Sequence, residues 1–232
     1  MLIAANWKMY KGPRETREFC EAFRVPDGAE AVICPAYISL AAALESGHSV
    51  FAQNVHWANE GAFTGEISAP MLLEIGVSGA IVGHSERRQY FGEIDQTVAR
   101  RAGAALEHGL RVIACVGESL EERRTPGQME LVLRLQVQAL ADAAGAHEGL
   151  VIAYEPVWAI GTGETATADQ AQEAHAFIKS LLDVPVLYGG SVKPENALEL
   201  LSQADVDGAL VGGASLDLES FTAICQTAAS LS

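Results

Sequence analysis

Leu150-Val151-Ile152-Ala153-Tyr154-Glu155-Pro156-Val157-Trp158-Ala159-Ile160-Gly161-Thr162-Gly163 sets a lone carboxylate at the end of an apolar run and follows it with a glycine-bearing loop. Residues 150–154 offer apolar side chains to both alternating faces, so they read as a strand buried on both sides, the habit of a parallel sheet. Pro156 biases Glu155 toward extended backbone and has no N–H to give a ladder, so the strand stops with the carboxylate at its carboxyl end. Gly161 and Gly163 permit backbone angles closed to other residues, while Trp158 and Ile160 give the loop apolar weight that needs a place to dock.

Working outward, the same unit recurs. Apolar runs occupy Leu2–Ala5, Ala31–Cys34, Val50–Ala52, Ala80–Val82, Arg111–Val116, Leu150–Tyr154, Val186–Tyr188 and Ala209–Val211. Between them lie segments with apolar positions three and four apart, such as Thr16–Arg24, Gln128–Ala144, Ala168–Leu182, Pro194–Ser202 and Leu218–Ala229, which read as helices. Strand and helix alternating eight times predict an α/β chain, a single (β/α)8 domain over residues 1–232 whose parallel strands close into a barrel inside a ring of helices. An open doubly wound sheet has the same alternation but gathers its ligand at one crevice. Here polar residues follow the strand-like runs in five different units: Asn6 with Lys8, His84, Glu155, Ser191, and Gly212 with Gly213. A closed barrel brings all those ends to one face, so the barrel is the expected architecture.

Composition narrows the function classes. The chain of 232 residues is 49% hydrophobic, enough for one large α/β core, and has no low-complexity linker. It has no apolar run of the ~18 residues a membrane span requires and no signal-peptide pattern, so a soluble cytoplasmic protein is expected. Cys20, Cys34, Cys115 and Cys225 are scattered, without a C-x-x-C pair or histidines at ligand spacing, which argues against disulfides and zinc. Cys115 lies inside an apolar strand and reads as packing. A formal net charge of -15 disfavours nucleic acid and anionic membrane surfaces, and would repel an anionic substrate as well. A phosphate ligand would therefore need cations and backbone N–H groups concentrated locally.

Several stretches supply such groups. Lys8 beside Asn6 could hold an anionic or carbonyl-bearing ligand, although lysines at strand ends are often only solvated. His84 ends one strand just before a helix start, where backbone N–H groups disfavour the imidazolium and leave a neutral ring able to donate; a structural histidine is the plainer alternative. Tyr188-Gly189-Gly190-Ser191 and Leu210-Val211-Gly212-Gly213 follow the seventh and eighth runs, where barrel enzymes commonly bind phosphate. The long connection Asn54–Glu66 carries Trp57 and Phe63, which either fold the loop on its own aromatics or insert into a partner subunit.

Taken together, Asn6-Trp7-Lys8-Met9, Val82–Arg88, Ala153–Gly163, Tyr188–Val192, Leu210–Ser215 and the loop ending Gly61-Ala62-Phe63-Thr64-Gly65-Glu66 resemble, in order and end to end, the triosephosphate isomerase family. That family is itself a reference case for a glutamate base, a neutral histidine and a closing loop. The resemblance implies a TIM barrel that interconverts dihydroxyacetone phosphate and glyceraldehyde 3-phosphate with no metal or organic cofactor. It implies Glu155 as the base moving a proton between carbons 1 and 2, with partial desolvation raising its pKa toward the working range. By the same resemblance His84, Asn6 and Lys8 stabilise the enediolate, and Gly161, Ser191, Gly212 and Gly213 bind the phosphate. Glu86 would partner Lys8, while Ile160 and Leu210 would cover the base. The family's docking of the 54–66 loop, with Thr64 reaching toward the neighbouring site, implies a homodimer whose isolated subunits are poorly active.

Three features depart from the family pattern. Glu164 stands at the loop's second hinge where Lys is usual, Tyr10 replaces a smaller polar residue, and the chain is somewhat short. A phosphate-binding barrel isomerase for a larger sugar phosphate is one alternative, and a non-catalytic phosphometabolite-binding barrel is another. Glu155 argues against the latter, because holding a dianion gains nothing from a carboxylate placed over it.

Overall fold

The computed structural model describes residues 1–159 and 166–232. The described strands are β1 (Leu2–Asn6), β2 (Glu30–Cys34), β3 (Ser49–Ala52), β4 (Gly79–Val82), β5 (Arg111–Val116), β6 (Leu150–Tyr154), β7 (Val186–Tyr188) and β8 (Gly208–Val211). They pair in sequence order and in parallel, and β8 returns to β1 with Leu2 opposite Gly208, which closes the barrel. The helices are α1 (Pro13–Ala22), α2 (Leu40–Leu44), α3 (Ala69–Glu74), α4 (Ser85–Phe91), α5 (Asp95–Glu107), α6 (Leu120–Arg124), α7 (Gln128–Ala144), α8 (Ala168–Leu181), α9 (Pro194–Leu201) and α10 (Leu218–Ser230).

Why the strands lack polar alternation is visible in the core. Alternate strand residues, among them Ala4, Cys34, Phe51, Ile81, Ile113, Cys115, Ala153, Leu187 and Leu210, form one apolar cluster that fills the barrel interior. Their neighbours, such as Ile3, Ile33, Val112 and Ile152, join a second core with helical residues including Phe19, Leu133, Ile178 and Phe221. Each strand is buried on both faces, as the apolar runs predict. The four cysteines are buried and unpaired.

Local chemistry sets the helix ends. The first helix begins at Pro13, three residues before the expected Thr16, because proline suits the first helical position and the Glu15 carboxylate accepts the Gly12 N–H (3.2 Å). A reciprocal pair between Thr167 and Gln170 starts α8. The short helices α2, α3 and α6 have too few turns to show a period. No helix among the described residues is long and apolar enough to cross a membrane.

The 54–66 loop folds partly on its own aromatics. His56 stacks on Trp57 (centroids 4.2 Å apart) and meets Phe63 (4.3 Å), while Arg100 and Arg101 of α5 cover the Trp57 ring. The tip stays open: Phe63 is 44% exposed and Thr64 is exposed.

Candidate active site

Asn6 ends β1 with its side chain buried, and its Oδ1 accepts the Lys8 N–H (3.1 Å). Lys8 has φ +51°, a left-handed conformation that costs a residue with a Cβ about 1–2 kcal/mol. Gln53 helps hold it there by donating to the Lys8 carbonyl (2.8 Å). The bend carries the Lys8 chain over Gly212, where a Cβ would stand 3.5 Å from Lys8 Cε. Its ammonium ends 2.6 Å from Glu86 Oε1. Lys8 is thus a half-buried, paired cation at the barrel mouth rather than a solvated one, and the Glu86 partnership is present.

His84 caps α4. Its Nδ1 accepts the Glu86 N–H (3.2 Å), and its Nε2 lies 2.9 Å from Glu155 Oε1. Glu155, 2% exposed, also takes the Ser85 N–H on Oε2 (2.8 Å) and the Ser85 hydroxyl on Oε1 (3.3 Å). Burial pushes the Glu155 carboxyl up, but His84, the Ser85 N–H and Lys8 outweigh it and hold the pKa below the usual carboxylate range. The expected raised pKa is therefore not found with these partners in place: burial does act upward, but the carboxylate is fully hydrogen-bonded. For His84, burial lowers the pKa, and the Glu155 charge with its hydrogen bond raises it to a net increase. The hydrogen-bond geometry pulls the other way. A backbone donor points at Nδ1 from the helix N-terminus, so a second ring proton would face a donor. The ring is a neutral Nε2–H donor, and the upward pull comes from the carboxylate now resting against it.

Beside this pair opens a cavity of about 570 Å³ lined by Asn6, Lys8, His84, the 189–195 turn, Leu210, Gly212, Gly213, Ala214, Asp217 and Ser220. Ser191, Gly212 and Gly213, named from sequence as phosphate ligands, therefore converge with Lys8, and Leu210 is buried against the same space. Asn196 of α9 holds the Ser191 turn by accepting the Lys193 N–H (2.7 Å) and donating to the Ser191 carbonyl (3.0 Å). Glu155 is not in the lining. It rests behind His84, with Gly189 leaving room for it: a Cβ there would lie 2.9 Å from Glu155 Cγ. Thr64 sits on the exposed loop tip and is not among the residues lining the cavity. Ile160, Gly161 and Glu164 lie outside the described residues.

Sequence reasoning missed Ser85, although its place after His84 at a helix start was a usable signal. It also missed what Glu118 does. That carboxylate is fully buried, and its Oε1 accepts from the Tyr154 hydroxyl (2.9 Å) and Trp158 Nε1 (3.1 Å), with Arg123 Nη1 4.0 Å away. Burial raises its pKa against the pull of those donors. Glu118 thereby ties the end of β6 to the residues that follow Glu155. Among the described residues no cluster of His, Cys, Asp and Glu is arranged to hold a metal.

Residues 1–228 match the family model described as Triosephosphate isomerase. Curated relatives include proteins named Triosephosphate isomerase from Solibacter usitatus (strain Ellin6076), 52% identical over 96% of this chain and 97% of that one, and from Carboxydothermus hydrogenoformans (strain ATCC BAA-161 / DSM 6008 / Z-2901), 50% identical over 96% of each. Another, from Moorella thermoacetica (strain ATCC 39073 / JCM 9320), is 48% identical over 96% of each chain.

Proposed function

The chain belongs to the triosephosphate isomerase family, and from that premise we propose which of its groups carry the reaction. It is an isomerase of glycolysis that interconverts dihydroxyacetone phosphate and D-glyceraldehyde 3-phosphate. One observation supports the assignment of roles above the rest: a buried carboxylate lies 2.9 Å from an imidazole nitrogen on the wall of a cavity that also holds Lys8 and two glycine-rich turns.

Isomerisation removes a proton from carbon 1 and delivers one to carbon 2, a task a single carboxylate does in both directions. Glu155 takes that role. Its oxygens are held by His84 and Ser85, so it must leave them to reach substrate. Substrate oxygens entering the cavity compete for the His84 Nε2–H, and as they take it they release the carboxylate. Departure of Glu155 also removes the strongest influence raising the imidazole pKa. The ring then meets the developing enediolate as a neutral donor, beside Asn6 and the Lys8 ammonium, in a place where fixed donors need not reorganise. Ser191, Gly212 and Gly213 hold the phosphate, with Lys8 supplying local positive charge against the overall negative field. Gly161 and Ile160 remain candidates for phosphate binding and for covering the base.

A coupled isomerase assay on purified protein tests the roles. His84→Gln is expected to lower kcat roughly 10²-fold, since the amide can donate but does not share the geometry fixed by the Glu86 N–H. Unchanged turnover would remove His84 from the chemistry.

We further propose that the protein works as a homodimer. Large apolar side chains are exposed on consecutive units of the barrel: Met9 (93%) and Tyr10 after β1, Ile38 (76%) after β2, Phe63 after β3, and Tyr90, Phe91 and Ile94 after β4. Exposed apolar side chains after four consecutive strands fit a second copy, with the tip of the 54–66 loop among them. Sedimentation is expected to give a dimer, and Phe63→Glu to shift it toward monomer with a parallel fall in activity at low protein concentration. A fully active monomer at all concentrations would refute the docking role.

A further inference from the structure

Gln136, in the middle of α7, hydrogen-bonds both groups of one peptide residue at the rim of the barrel. Its Oε1 accepts the Gly117 N–H (2.8 Å) and its Nε2 donates to the Gly117 carbonyl (3.1 Å). Gly117 is the residue between β5 and Glu118, and it has no side chain for a reason visible in the backbone. A Cβ there would stand 1.8 Å from the Glu155 carbonyl oxygen. On either side of it the two chains are stitched together, by the Glu155 N–H to the Val116 carbonyl (2.7 Å) and the Val157 N–H to the Glu118 carbonyl (3.1 Å). Those bonds bracket Glu155, and they belong to the residues flanking Gly117. The groups of Gly117 itself point away from β6 and go to Gln136.

The geometry points to Gln136 as a positioning residue for the isomerisation, resting on the reading of Glu155 as the base. The side-chain amide stands where another strand's peptide would stand, and it fixes the plane of the Gly117 backbone. That plane sets the surface against which the Glu155 backbone is pressed and fixes the carbonyls that hold Glu155 and Val157. Two roles converge on this one contact: it keeps the base's Cα in register with His84, and it keeps Glu118 aimed at Tyr154 and Trp158. Gln136 is mostly buried and touches none of the residues lining the cavity through a hydrogen bond of its own, so it acts only through this backbone.

Two variants separate this from mere packing. Gln136→Met keeps the reach and apolar volume but removes both hydrogen bonds, leaving the Gly117 N–H and carbonyl without their partner. Gln136→Glu keeps an acceptor for the N–H. When ionised it sets a carboxylate oxygen against the Gly117 carbonyl, and when protonated it restores a donor there. For Gln136→Met, kcat is expected to fall roughly 10- to 100-fold, as suits a base displaced by a fraction of an ångström to an ångström, with KM changed less than about twofold. For Gln136→Glu, kcat relative to wild type at the same pH is expected to rise as pH falls, whereas the same ratio for Gln136→Met stays flat. Thermal melts identify any variant that does not fold, and if Gln136→Met is lost that way the pH ratio of Gln136→Glu decides. A folded Gln136→Met enzyme with kcat within twofold of wild type overturns the proposal, as does a Gln136→Glu ratio independent of pH. Glu155→Gln run in parallel keeps the two readings apart: if it abolishes turnover while the Gln136 variants behave as wild type, the base stands and the positioning role falls.

Discussion

Glu155→Gln is expected to lower kcat by roughly 10³-fold or more, near the upper part of what a positioned general base contributes, while KM moves only a few-fold. The substitution is nearly isosteric and its amide oxygen can still accept the Ser85 N–H now 2.8 Å from Oε2. The Ser85 contact should therefore survive, the amide NH2 now facing the His84 Nε2–H that the carboxylate accepts, and the main loss should fall on proton abstraction. Replacing a charged partner of His84 by a neutral one also removes the chief influence raising the imidazole pKa. The ring should then titrate at lower pH in the variant than in the wild type, which proton NMR of the imidazole would read. Near-normal turnover in a coupled assay would sink the assignment of Glu155 as base and leave the carboxylate a structural partner of α4.

The second large effect is expected from Gly117→Ala. A methyl group there overlaps the Glu155 carbonyl oxygen at 1.8 Å, and no rotamer relieves a clash between a Cβ and backbone. The two chains must part by more than an ångström, breaking the Val116 and Glu118 hydrogen bonds that bracket the base. Activity should fall about 10²-fold or more from misplacement alone, together with a lower melting temperature. An active, fully stable Gly117→Ala protein would mean that the rim between β5 and β6 is far softer than it stands here.

Much of this architecture is legible in the chain because both of its governing signals are local. Runs such as Arg111–Val116 and Leu150–Tyr154 begin and end in the structure where their apolar residues do. A strand buried on both faces keeps polar residues to its ends, as with Asn6, Glu30, Ser49 and Arg111, so its limits are written in composition to within a residue. Residues at strand ends, among them Asn6, His84, Ser191 and Gly212, were legible as site candidates for the same reason: a polar group directly after such a run has one face of the barrel to occupy. What was not legible depends on contacts across the chain. Gln136 meets a backbone 19 residues away through a side chain that looks in sequence like any polar helix position. Glu118 reads as an ordinary loop acid until Tyr154 and Trp158 surround it. The pKa of Glu155 was misjudged in direction because burial can be inferred from an apolar run, whereas its hydrogen bonds to Ser85 and His84 come from another strand end. The 54–66 loop offers two readings: its base folds on its own aromatics, and insertion of its exposed tip into a partner subunit is part of the proposed dimer.

The resting place of Glu155 bears on how substrate first arrives. A chain with a formal net charge of -15 must admit a dianion, and a bare carboxylate at the mouth would add to the repulsion at the worst point. With its oxygens turned to the Ser85 N–H, the Ser85 hydroxyl and His84, the carboxylate stands outside the wall that an incoming phosphate meets, whose charged side chains are Lys8, Lys193, Glu195 and Asp217 beside the glycine turns. If Glu155 is the base, as proposed, the negative charge needed for chemistry is withheld during encounter and put forward only after the phosphate is seated. Approach and proton transfer place opposite demands on the same group, and a carboxylate that turns from Ser85 only when substrate claims the His84 N–H would meet them one after the other.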